Sequence, residues 1–267
     1  MKRLLTTALL VGTAFSSRSG EVVPEFLSQA MLLRKMAIRN AVAPRNLPVG
    51  FNRYPWKIEI VATVFWVGER ATENNPVPNH MSSWDAKWSG SFGGYDNPNP
   101  SERINFLPRG FVPRQNPFYI ALPYNDVTHG GTKPESRKAI PWFPQAFEKP
   151  GHSVCKGRWI AIRHKDRIAY AQWEDCGPFR TDHWAYVFGN ERPRRNLNQA
   201  AGLDISPAVR DYLGMNDKGI VDWKFVEASG VPPGPWTKYG GNNTFVLQRG
   251  GENLLLKDRN NARPGIR

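Results

Sequence analysis

Apolar positions along this chain come in short blocks, and most are spaced for strands. Residues 56–69, WKIEIVATVFWVGE, are rich in β-branched and aromatic side chains and predict a first strand. FYIALPYND at 118–126 predicts a second. SVCKGRWIAIRHKDRIAYAQWEDCG at 153–177 alternates on both sides of a polar Lys165-Asp166 pair, which predicts a hairpin with a two-residue turn there. That turn pairs His164 with Arg167, Ala161 with Tyr170 and Trp159 with Gln172. Continued outward, it sets Cys155 opposite Cys176, so a disulfide between them is preferred over two buried thiols. GIVDWKFVEA at 219–228 alternates as a final strand.

Helical spacing is confined to two places. Within residues 25–43 the apolar side chains Phe26, Leu27, Ala30, Leu33 and Ala37 share one face, before Pro44 and Pro48 end the pattern. In GLDISPAVRDYLGM, 202–215, a strand end runs into a short helix. Ser206 is suited to cap it, Pro207 to open it and Gly214 to end it. Residues 70–117 are rich in proline, asparagine and glycine and predict a long loop-dominated insertion. The expected fold is therefore mainly all-β: a barrel with long loop insertions and one or two short helices. Its expected organisation is a leader at 1–16, a helical arm at 17–55, the barrel at 56–230 and an extended basic tail at 231–267.

Composition narrows the class. The chain has 267 residues with 40% apolar content, enough for one large domain with a core. The opening MKRLLTTALLVGTAFSS has a basic start, a short apolar run and small residues at Ala14 and Ser16, the pattern of a secretory signal peptide. This predicts a secreted or periplasmic protein without a stable membrane anchor. A net charge of +13 on an exported chain points to polyanionic surroundings such as cell-wall polymers. No nucleic-acid module is visible, and RPRR at 192–195 reads as a solvated loop, so no nucleic-acid partner is expected. His80, His129, His152, His164 and His183 lack metal-ligand spacing, and His183 reads as a solvated loop residue; no metal and no cofactor are expected. Asn242-Asn243-Thr244 forms a glycosylation sequon.

Two motifs carry chemistry. In QWEDCGPFRTDHWAYVFG, 172–189, Glu174-Asp175 ends a strand beside a Gly-Pro turn and a run of aromatics. Asp204 lies just ahead of the capped helix. The order of an aromatic first strand, FGGYD at 92–96, an Ala-Leu-Pro strand, EDCGPF at 174–179 and GLDISPAVRDYLGM resembles the six-stranded double-psi β-barrel group of rare lipoprotein A, the expansins and family-45 endoglucanases. The resemblance covers roughly residues 56–228. It implies a sugar-binding groove with Asp175 and Asp204 at one end. Asp204 falls where the membrane-bound lytic transglycosylase A type carries its catalytic acid, with Asp175 as its support. The position of the endoglucanase base is occupied here by Val67, with Glu69 nearby but out of register. The resemblance thus implies lytic cleavage of peptidoglycan by one carboxyl group. Non-catalytic, expansin-like binding of a wall polysaccharide, or an inhibitor-like barrel, are the alternatives. Trp66, Tyr95, Tyr124, Trp184 and Tyr186 are the candidates for stacking on sugar rings, two of them expected to line the groove.

Overall fold

A computed structural model describes residues 54–72 and 77–250. The leader, the 25–43 helix and the end of the basic tail lie outside the described residues. Six strands form a closed barrel: β1 (Lys57–Val64), β2 (Tyr119–Leu122), β3 (Trp159–His164), β4 (Arg167–Cys176), β5 (Leu203–Ile205) and β6 (Lys218–Val226). Their order round the barrel is β1-β6-β3-β4-β2-β5, with β5 returning to β1. The pairs β1/β5 and β2/β4 are parallel and the other four are antiparallel.

The β3/β4 hairpin has the predicted register, with Trp159 opposite Gln172, Ala161 opposite Tyr170 and His164 opposite Arg167. The disulfide does not follow from it, because Cys155 and Cys176 are both free thiols. The ladder stops at Trp159. Before it the chain turns, the Arg158 N–H donating to the Cys155 carbonyl at 3.1 Å, while the Cys176 thiol donates to the Tyr124 carbonyl at 3.1 Å. Cys155 therefore lies in a turn, off the strand register that would set it opposite Cys176.

Helices are more numerous than expected, and all are short. They are α1 (Trp88–Phe92), α2 (Ser136–Ala139), α3 (Phe143–Ala146), α4 (Trp184–Val187) and α5 (Pro207–Leu213), with a further helical run over 244–250. Single turns within loops leave no periodicity to read. Only α5 carries its signature in the sequence. The Ser206 hydroxyl accepts from the Val209 N–H at 3.3 Å, and Gly214 closes the helix in the left-handed conformation at φ 65°.

Two cores share strand β2. Ile120 and Leu122 join the main core inside the barrel, with Trp173, Leu203, Ile205 and Trp223. Tyr119 and Ala121 face the other way, into a smaller core with Phe65, Val67, Trp88 and Phe92. The 70–117 insertion thus covers an outer face of the barrel. A buried polar network holds it there. Arg103 pairs with Asp96 at 2.5 Å and reaches Asp211 on α5 at 2.9 Å, and the Tyr119 hydroxyl donates to Asp96 at 2.8 Å.

Residues 231–243 pack against the barrel. Trp236 is buried against Phe118, Tyr170 and Tyr212, and the buried Asn243 amide donates to the Trp236 and Tyr239 carbonyls. Asn242, the sequon acceptor, already uses its side chain on Glu174 and the Asn116 N–H.

Arg103→Ala leaves Asp96 buried without its ion-pair partner, which is expected to cost about 3–5 kcal/mol of stability. The measurement is the shift in the urea denaturation midpoint at unchanged slope.

Candidate functional site

The sequence Leu203-Asp204-Ile205 alternates, as a strand must. Leu203 and Ile205 are fully buried in the core, so Asp204 is turned to the opposite face, where it is half-buried. Across the barrel wall Asp204 is in register with Thr63 on β1 and Ala121 on β2, and Ala121 is in register with Asp175 on β4. Thr63, Asp204, Ala121 and Asp175 therefore form one row over four neighbouring strands. A bulge in β4 against β2 brings Asp175 into that row. Two strand spacings, about 10 Å, separate the aspartates, so they act on one another through charge rather than a shared hydrogen bond.

The row borders a cleft of about 540 Å³. Asp204, Asp175 and Glu69 give it an acidic lining, and Phe65, Val77, Met81, Pro178 and Phe179 contribute apolar surface. The Thr63 hydroxyl donates to Asp204 Oδ1. Its Oδ2 is turned towards Gly177, where a Cβ would come within 3.1 Å of it. Glycine at this corner thus leaves room beside the second carboxylate oxygen. Burial, opposed by the Thr63 hydrogen bond and reinforced by the charges of Glu69 and Asp175, pushes the Asp204 pKa up to about 7. Such a carboxyl holds a proton near neutrality and can deliver it.

Asp175 is held differently. Its Oδ1 accepts from the Ser83 and Cys176 N–H groups, each at 2.7 Å, and the side chain is buried. Burial raises its pKa while these N–H donors oppose the rise. Asp175 fastens the insertion's Ser83 against the barrel and forms one wall of the cleft. Its neighbour Glu174 points elsewhere, to the Asn242 amide at 3.0 Å, and burial raises its pKa to about 7.

None of the five aromatic candidates is among the residues lining the cleft. Tyr124 and Tyr186 are fully buried: the Tyr124 hydroxyl pairs with Ser136, and the Tyr186 hydroxyl donates to the Gly202 carbonyl. Neither can meet a sugar. Trp66 is half-buried, and Tyr95 and Trp184 are exposed away from the cleft. The aromatic at the rim is Phe179, exposed at 44%, which stood inside the EDCGPF motif without being singled out. Glu69 was set aside as out of register, yet it reaches the cleft because the chain turns after β1. The Glu69 N–H donates to the Trp66 carbonyl, and the Asn79 amide holds the Glu69 carboxylate at 2.8 Å. His183 is a correction of another kind: it is buried, with Nε2 3.0 Å from Glu191. Among the described residues no group of three or more His, Cys, Asp or Glu side chains is placed to hold a metal ion.

The raised Asp204 pKa has a definite sign for stability. Between pH 4 and pH 7 the folded chain keeps a proton that the unfolded chain releases, so this contribution falls as pH rises through that window. Asp204→Asn keeps the acceptor for Thr63 and removes the buried charge. The variant is expected to be more stable than the parent at pH 8, by about 1–3 kcal/mol, with the gain gone near pH 4; thermal melts at the two pH values measure it. Comparison with protein-family models and with curated proteins finds no match for this chain.

Proposed function

We propose that this chain is an exported double-psi β-barrel protein that cleaves peptidoglycan by lytic transglycosylation, with Asp204 as its one acid and base. The observation that carries the reading is the Asp204 carboxyl itself. It opens onto a cleft, has its pKa pushed to about 7, and keeps one oxygen beside the bare Gly177 corner. The parallel pairs β1/β5 and β2/β4 within a six-stranded mixed barrel are in keeping with the double-psi topology. Export rests on the leader-like pattern of residues 1–16, and the wall as target rests on the net charge of +13.

In the proposed reaction Asp204 gives its proton to the glycosidic oxygen as the bond from that oxygen to C1 breaks. The resulting carboxylate takes the proton of the 6-hydroxyl on the same sugar, and O6 closes onto C1. The products are a new hydroxyl end and a 1,6-anhydro end, and Asp204 is again protonated. No water is consumed and no second carboxylate is required. Asp175 contributes its charge and the fixed wall at Ser83.

The test is digestion of purified peptidoglycan, with products read by mass spectrometry. The parent is expected to release anhydro-ended fragments at a rate that falls as pH rises through about 7, where Asp204 loses its proton. Asp204→Asn is expected to lower that rate by about 10²-fold or more. Reducing ends in place of anhydro ends would replace the lytic mechanism with hydrolysis. Absence of products, with parent and variant pelleting equally with the wall, would make the protein a binding module.

A further inference from the structure

The corner after β4 holds a conformation that the barrel does not need. The Arg180 N–H donates to the Pro178 carbonyl at 2.7 Å, which closes a three-residue γ-turn, and Phe179 at its centre has φ 59°. This hand of γ-turn is rare and strained, and a non-glycine residue at its centre raises the cost. The strain holds Phe179 out at the cleft rim instead of in a core.

Arg180 follows it, and among the described residues lining the cleft it is the only cation. On the exposed rim its guanidinium makes a two-point pair with Asp182, Nε to Oδ1 and Nη2 to Oδ2, both at 2.9 Å. The Nη1 end of the fork lies outside that pair. The backbone at Asp182 is held in turn. It bridges to Tyr124, and the preceding Thr181 carbonyl accepts from the Asn125 N–H at 2.9 Å and from Lys133 Nζ at 2.7 Å. Asp182 also feels the charge of Arg194. Arg180, Lys133 and Arg194 against Asp182 leave this rim positive, beside the acidic lining of the cleft. From Gly177, beside Asp204, to Arg180 is three residues, at most about 10–11 Å of chain.

We propose that Phe179 and Arg180 form a subsite for a glycan residue that carries a carboxylate, the sugar face lying on the Phe179 ring and the carboxylate on the free end of the Arg180 guanidinium. A planar guanidinium suits carboxylate better than a lysine does. This rests on the reading of the cleft as a glycan site and names the substrate class within it. The acidic group is recognised at the positive rim, while the bond to be broken lies over Asp204. Phe179 and Arg180 determine specificity and take no part in the proton transfers.

Calorimetric titration with soluble probes tests it: a hexagalacturonate, the same oligomer with its carboxylates methyl-esterified, and a neutral N-acetylglucosamine hexamer. The parent is expected to bind the acidic oligomer about 10-fold more tightly than its ester. Arg180→Ala and Arg180→Lys should abolish or shrink that preference and leave the affinity for the neutral oligomers unchanged. Phe179→Ala should weaken all three. Equal binding of acid and ester, with no effect of Arg180→Ala, overturns the subsite and leaves the glycan reading standing. Absence of binding to any of the probes overturns the subsite, and anhydro products from peptidoglycan then decide whether the glycan reading survives alone.

Discussion

Closure of the barrel rests on strand β5, which is three residues long and pairs on both sides, parallel to β1 and antiparallel to β2. So short a strand is held by its neighbours, and its two apolar side chains must both enter the core for the ring to close. That requirement turns Asp204 outward with no freedom to choose. Any slip of one residue would bury the carboxylate and expose Leu203 and Ile205. The position of the proposed acid is thus a by-product of the packing that closes the fold.

The surroundings of Asp204 are built by other parts of the chain. β1 brings Thr63, the corner after β4 brings Gly177, and the insertion brings Ser83, fastened through Asp175. These elements converge because β1, β5, β2 and β4 follow one another round the barrel, although more than a hundred residues separate Thr63 from Asp175. A carboxyl in such a place is removed from water on most sides while one oxygen stays reachable. The same burial that raises its pKa therefore makes it useful as a proton donor.

The insertion at 70–117 is more than a decorated loop. Its Trp88 and Phe92 bury the outward faces of Tyr119 and Ala121, and its Arg103 and Asp96 sit in a buried network that reaches Tyr119 and α5. An outer face of the barrel that would otherwise carry exposed aromatic rings becomes a second core. The wall of the cleft is anchored by this core on one side and by Asp175 on the other.

Local rules settled much of this in advance. Strand alternation and the Lys165-Asp166 turn determined the β3/β4 register, and the Ser206, Pro207 and Gly214 signals determined α5, because each depends on residues a few positions apart. Asp204 was legible in the sequence as an acidic residue just ahead of that helix. What tertiary structure alone decided depends on pairings distant in sequence. Whether an aromatic serves as core or platform depends on what packs over it, so Tyr124 and Tyr186 went inside while Phe179 was held at the rim. Whether two cysteines meet depends on where a strand ends, which a register extended on paper does not contain. Glu69 reached the cleft through a turn beyond the end of β1, where period-two reasoning no longer applies. Periodicity is a property of neighbours along the chain, whereas burial and charge coupling belong to neighbours in space, and only the closed barrel supplies those.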